Sequence, residues 1–166
     1  ATSIFDAAGN AASTTQSNNT ATFNDKAVPT LSSVSIASDN STTTLAKVAD
    51  VVTLSFAANE TIGTPVVTFL SGGEAINDTT VTYTNASGNN WTAAYTADTD
   101  DTAGAITYSI AFSDSTGNAG TAVTTGSGSV TFDKAVPTLS SVSIASNNST
   151  TTLAKVANVV TLSFAA

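Results

Sequence analysis

The sequence predicts an all-β protein: an antiparallel β-sandwich of about seven strands that recurs in a tandem array. Its composition is rich in Thr, Ser, Ala, Asn and Val. Small polar and β-branched residues suit a half-buried pleated surface better than a helix. Several segments alternate apolar and polar residues with a period of two, as strands do. A stretch of 33 residues also recurs 108 positions further on.

This duplication sets the frame of the repeat. Residues 26–58 return as 134–166 with two changes, in which Asp39 becomes Asn147 and Asp50 becomes Asn158. Shorter matches upstream extend the same period. The frame has three parts, which are the C-terminal part of one repeat (1–25), a complete repeat (26–133) and the N-terminal part of another (134–166).

The two partial repeats bury too little surface to fold alone. We expect them to belong to a longer array in which neighbouring repeats stabilise one another. The alternative is a self-assembling filament, in which strands exchanged between identical chains complete each partial repeat. The expected partners are therefore neighbouring repeats of the same chain or identical chains.

Alternation places seven strands in the complete repeat, each centred on apolar residues expected to face the core. These residues are Val34 and Ile36; Val52, Leu54 and Phe56; Val67 and Phe69; Val81 and Tyr83; Trp91, Ala93 and Tyr95; Ile106, Tyr108, Ile110 and Phe112; and Val130 and Phe132. A Thr-rich loop over residues 42–50 joins the first two strands. Trp91 and Tyr95 alternate inward with Ala93, which predicts core packing rather than a sugar-stacking pair.

Composition excludes several classes of function. The chain carries 12 Asp and Glu against 4 Lys and Arg, a net charge of −8, so nucleic acid and anionic membrane surfaces should repel it. It has no His, Cys or Met, and therefore lacks the usual general base, the thiol nucleophile and the common zinc ligands. We expect no enzymatic activity. No apolar run approaches 18 residues, so no direct membrane insertion is expected.

Several linked motifs carry a family resemblance. They are an Asp shortly before Pro at the repeat junction (Asp133, Pro137), Lys-Val-Ala-Asp before the second strand (47–50), Gly-Asn-Asn-Trp-Thr before the fifth (88–92), and Asp-Ser-Thr-Gly-Asn before the seventh (114–118). The chain resembles the bacterial Ig-like tandem repeats of large secreted surface adhesins and extracellular repeat fibres. The resemblance implies an Ig-like sandwich at the bacterial cell surface, in a stalk whose ligand-binding domain lies elsewhere. Unlike antibody domains, the repeat has no cystine pair, and Trp91 lies on the fifth strand.

In such a sandwich, acidic residues collect at both ends. The entry end, where the first strand begins, carries Asp25, Glu60 and Asp114, and the exit end, where the seventh strand finishes, carries Asp98, Asp100, Asp101 and Asp133. Carboxylate oxygens are ligands for Ca²⁺. We therefore expect calcium at the repeat junctions, with Asp25, Glu60 and Asp114 as the first ligand set and the exit-end group as its counterpart, and the resemblance favours calcium there.

The alternative interpretation is that these acids are solvated turn residues. Asp6 and Asp114 would then close Asx turns before Gly-Asn. The duplication also bears on Asp39 and Asp50, since Asn replaces both in the second copy. Neither carboxylate can be indispensable, and we expect both to tune local repulsion or to hydrogen-bond the loop that carries them.

Overall fold

The computed structural model describes residues 5–11, 25–77 and 80–166, and it confirms the all-β class. No helix occurs in these ranges, so none in the described chain could cross a membrane. The strands are β1 (Leu31–Ser38), β2 (Leu45–Ala46), β3 (Val51–Ala58), β4 (Val66–Ser71), β5 (Glu74–Ala75), β6 (Thr82–Ser87), β7 (Asn90–Thr96), β8 (Gly104–Ala111), β9 (Thr131–Phe132), β10 (Ser141–Ser146) and β11 (Val160–Ala165).

Residues 26–133 form a sandwich of two sheets. The first sheet has the order β1-β3-β7-β6 and the second the order β2-β9-β8-β4-β5. All neighbours are antiparallel except β2 and β9, which run parallel. β2, β5 and β9 have two residues each, so the repeat has nine strands where alternation predicts seven.

The core lies between the two sheets, where alternation predicts it. β3 alternates buried and half-buried residues along its whole length, with Leu54 fully buried. Phe69 of the second sheet meets Tyr95 of the first at a ring-centroid distance of 4.9 Å. Trp91 and Ala93 are buried beside Tyr95. The prediction that Trp91 and Tyr95 pack in the core is therefore confirmed.

β1 has an irregularity that β10, its copy in the duplicated sequence, lacks. Its pairing with β3 shifts between Ser32 and Ser35, and Ser33 has a φ of +54°. At this bulge Ser127 donates its backbone N–H to the Val34 carbonyl at 2.8 Å. Gly128 then approaches so closely that an added Cβ would clash with the Ile36 carbonyl oxygen. The segment before β9 therefore hydrogen-bonds β1 at its bulge.

The second copy of the duplicated sequence forms a separate two-stranded hairpin, β10–β11. Ile144 pairs with Leu162 as Ile36 pairs with Leu54, so the register at this point is the same. The burial is opposite: Leu54 and Phe56 are 0% and 3% exposed, whereas Leu162 and Phe164 are 58% and 62% exposed. The hairpin β10–β11 therefore has an exposed apolar face that includes Ile144, Leu162 and Phe164.

Candidate metal centre and the ends of the repeat

Three acidic residues meet at the entry end, as the sequence predicts. Asp25 precedes β1, Glu60 follows β3, and Asp114 follows β8, so three separate segments supply them. One carboxylate oxygen from each lies within 4.8 Å of the others. The three residues are exposed, half-buried and buried, in that order. The group is therefore a small acidic cluster between the linker and two loops.

Among the described residues, no ion pair is recorded at the entry-end cluster. Within the described ranges, the one recorded ion pair joins Lys47 to Asp50, which lie in the loop between β1 and β3. Oε1 of Glu60 is buried and has no hydrogen-bond partner. A buried carboxylate oxygen without a donor is unfavourable, and a nearby cation would stabilise it. The chemistry of the cluster therefore suits a hard cation with oxygen ligands.

Asp114 also organises the turn after β8. Its Oδ1 accepts backbone N–H bonds from Thr116, Gly117 and Asn118 at 2.7–2.9 Å. Its Oδ2 accepts from Nδ2 of Asn118 at 2.7 Å. Burial makes the largest single contribution to its pKa and raises it, but the hydrogen bonds from Asn118 and Thr116 together outweigh burial and lower the pKa to about 2.

The same turn occurs near the start of the chain. Asp6 accepts the backbone N–H bonds of Ala8 and Asn10 on Oδ1, and Nδ2 of Asn10 on Oδ2, each at 2.9 Å. Hydrogen bonding from Asn10 is the main cause that lowers the pKa of Asp6. The prediction that Asp6 and Asp114 close Asx-type turns before Gly-Asn is therefore confirmed. Asp114 fulfils this role whether or not it also binds a metal.

Asp39 and Asp50 hold the loop between β1 and β3. Oδ1 of Asp39 accepts the Val51 N–H at 2.8 Å, and Asp50 accepts from Nδ2 of Asn40 at 2.6 Å and from Nζ of Lys47 at 2.7 Å. Hydrogen bonds lower the pKa of Asp50 to about 2, the one from Asn40 most and the one from Lys47 next. This confirms the expectation that the two residues hydrogen-bond their own loop.

The second copy shows what the Asn substitutions retain. Asn147 accepts the Val159 N–H at 3.1 Å, and Asn158 accepts the Lys155 N–H at 2.9 Å and Nδ2 of Asn148 at 3.1 Å. The amide oxygen therefore replaces the carboxylate in every backbone contact. Only the ion pair with lysine is specific to Asp50.

These lowered pKa values predict loss of stability in acid. Asp50 and Asp114 have folded-state pKa values of about 2, below the ordinary value of 3.8, so their stabilisation is complete above pH 4 and is lost as the pH falls toward 2. The urea midpoint should be flat between pH 7 and 5 and should fall steeply between pH 4 and 2. In Asp50→Asn, which copies position 158, the fall should be shallower. Equal slopes in both proteins would contradict the assignment of Asp50.

The exit-end acids do not form the expected second ligand set. Asp98, Asp100, Asp101 and Asp133 are all described, but the described chain holds no group of three ligand atoms among them. Carboxylate oxygens of Asp98, Asp101 and Asp133 accept backbone N–H groups. Oδ1 of Asp98 accepts the N–H groups of Asp100 and Asp101, and Oδ1 of Asp133 accepts that of Ala135.

Asp101 is the anchor of this loop. It is 0% exposed, and its two carboxylate oxygens accept the N–H groups of Asn77 at 2.9 Å and Asp98 at 3.1 Å. It thus ties the segment after β5 to the loop between β7 and β8. Asp101 therefore has a structural role in this loop, and the expectation that it is a calcium ligand stays a prediction.

The exit end holds a different cation, which the sequence interpretation missed. Nζ of Lys134 donates to the backbone carbonyls of Thr99 at 3.0 Å and Asp101 at 2.8 Å. The signal was present in the sequence, because Lys134 directly follows Asp133 in a linker that is duplicated at Lys26. The acceptors are backbone carbonyls, however, which every residue type has. No sequence motif could therefore predict this contact.

Comparison of the chain with protein-family models, curated proteins and solved structures gave no match.

Proposed function

We propose that this chain is a structural repeat module of an extracellular bacterial adhesin stalk or surface fibre, in which tandem β-sandwiches supply length. The observation that carries the proposal is the second copy of the β1–β3 hairpin. β10–β11 reproduces the Ile36–Leu54 register as Ile144–Leu162, and it presents the face that the complete repeat covers with its remaining strands. A repeated unit with one buried core per copy is the organisation of an array.

The strand order supports an Ig-like assignment of the repeat. In the first sheet, β1-β3-β7-β6 corresponds to the A-B-E-D order of Ig domains. In the second, β9-β8-β4 corresponds to G-F-C. The two-residue strands β2 and β5 extend the second sheet at its edges. This topology agrees with the resemblance carried by the motifs.

The proposed mechanism is geometric. The complete repeat buries its own core, so each unit adds length without a partner chain. Pro29 in the linker is fully buried against the repeat that follows it, and Pro137 stands at the same place in the next linker. Proline fixes its own φ and keeps the preceding residue extended, so both linkers favour an extended junction.

Calcium at the entry end would stiffen this junction. Asp25 belongs to the linker, whereas Glu60 and Asp114 belong to the repeat that follows. A single ion bound by all three would neutralise their mutual repulsion and fix the linker on the sandwich. The buried, unpaired Oε1 of Glu60 supports this part of the proposal.

A lengthened chain tests the proposal. Appending a copy of residues 59–133 after Ala166 supplies every strand that β10–β11 lacks. We expect a monomer with two cooperative units, and small-angle scattering should show a maximum dimension longer by about 35 Å, one strand length with its end loops. A chelator should shorten or broaden this distance distribution. The same chain with the Glu60→Gln change made in the appended copy, whose entry end faces the joint, should be insensitive to the chelator.

The outcomes separate the array, the filament and the metal. If the appended residues stay unfolded, or if the two units pack side by side with no gain in length, the array is excluded. Concentration-dependent polymers of the 166-residue chain, with strands exchanged between copies, would favour the filament instead. An extended two-unit monomer that ignores chelator and calcium would retain the array and exclude the metal.

A further inference from the structure

The loop between β7 and β8 forms a small binding site for an ammonium group. The carbonyls of Thr99 and Asp101 both accept from Nζ of Lys134, so one loop satisfies two of the three ammonium donors. The loop is held in shape from within, since Oδ1 of Asp98 accepts the N–H groups of Asp100 and Asp101. The two acceptor carbonyls therefore lie in a loop that has its own internal hydrogen bonds.

The linker that carries this lysine has the same turn at both ends of the complete repeat. Oδ1 of Asp133 accepts the Ala135 N–H at 2.8 Å, and Oδ1 of Asp25 accepts the Ala27 N–H at 3.0 Å. The Asp-Lys-Ala-Val-Pro sequence is identical in both places, and its Asp forms the same turn. Contacts seen at one linker can therefore be transferred to the other.

The two linkers contact the repeat from opposite sides. At the entry end, Nδ2 of Asn118 donates to the carbonyl of Asp25 at 3.1 Å. At the exit end, Lys134 donates to the loop between β7 and β8. If one linker makes both kinds of contact, its Asp binds the repeat that follows and its Lys binds the repeat that precedes.

We propose that each linker is fastened on both sides by these adjacent residues, with the ammonium of the lysine bound in the exit-end loop of the preceding repeat. The contact of Lys134 lies within this chain, and its extension to successive repeats rests on the proposed array. The fastening needs no metal. It also brings a positive charge to the loop that carries Asp98, Asp100 and Asp101.

Lysine reactivity tests whether the ammonium is held. The chain has four lysines and no arginine, so acylation at neutral pH followed by peptide mass spectrometry gives a rate for each one. Lys134 should react about fivefold more slowly than Lys26 and Lys155, for which the described structure records no hydrogen bond from the ammonium. In urea all four rates should converge. A folded-state rate at Lys134 equal to that at Lys26 would overturn the proposal.

Linker dynamics test whether the contact fastens the chain. In Lys134→Gln, the ¹⁵N heteronuclear NOE of Ala135, Val136 and Thr138 should fall, whereas Lys155→Gln should leave it unchanged. A chelator should have no effect on these amides in the wild-type chain, which separates this fastening from the proposed calcium site. A linker equally ordered in Lys134→Gln and wild type would show that the lysine does not hold it.

Discussion

Replacing Phe56 by alanine should destabilise the complete repeat by about 4 kcal/mol, whereas the same change at Phe164 should cost less than about 0.5 kcal/mol. The two residues occupy the same position in the duplicated sequence. Phe56 is 3% exposed and lies opposite Trp91 on the neighbouring strand, so its removal leaves a cavity in the core. Phe164 is 62% exposed and has no comparable neighbours to lose.

Urea unfolding followed by Trp91 fluorescence measures both variants, because the one tryptophan of the chain is buried in the complete repeat. A domain of this size has a stability of 5–15 kcal/mol, so Phe56→Ala can fall close to the unfolding threshold. Phe56→Leu then serves as a milder variant, with an expected loss of about 1–2 kcal/mol. Equal losses at Phe56 and Phe164 would show that the hairpin shares the folded core.

Local alternation was enough to predict the core and most of the sandwich. Leu54, Phe69, Tyr95 and Ile110 are all buried at positions with a period of two. The entry-end cluster was predictable for a related reason, since strand order alone decides which loops share an end. Asp114 could be placed beside Asp25 without any knowledge of side-chain geometry, and the two residues do meet.

The bulge in β1 shows where sequence stops being informative. Ser33 and Ser141 stand in identical local sequences, but only Ser33 has a positive φ. The difference must come from tertiary contact, and the structure supplies it in the hydrogen bond from Ser127 to Val34. No property of residues 26–58 alone could have predicted this bend. The short parallel pairing of β2 with β9 has the same origin in long-range contact.

At the exit end, the four predicted acids do not form a group of ligands among the described residues, and the reason is different. Four aspartates at one end of a sandwich suggest a metal when only charge is counted. Backbone N–H groups compete for the same oxygens, however, and a loop that turns on itself supplies such donors locally. Asp98 accepts N–H groups of its own loop, and Asp101 accepts one from the loop and one from Asn77. The cation recorded at this loop is the ammonium of Lys134.

Asp101→Ala should therefore destabilise the complete repeat by about 2–3 kcal/mol, with or without calcium. The change leaves the N–H groups of Asn77 and Asp98 without their acceptor in a buried setting, and it separates the loop between β7 and β8 from the segment after β5. The matched control is Asp100→Ala, one position away, where the side chain is exposed and the loss should stay within about 0.5 kcal/mol. Urea unfolding gives the loss of stability of each of the two variants relative to wild type, once in calcium and once in chelator.

The comparison decides between an anchor and a ligand. An anchor gives the same loss in calcium and in chelator, because the hydrogen bonds of Asp101 do not depend on an ion. A metal ligand gives a loss only in calcium, and then Asp100→Ala should share part of it. Asp101→Asn adds a further test, since the amide keeps one acceptor but turns a donor toward a backbone N–H. The stability of Asp101→Asn should lie between those of Asp101→Ala and wild type, because one of the two hydrogen bonds survives in it.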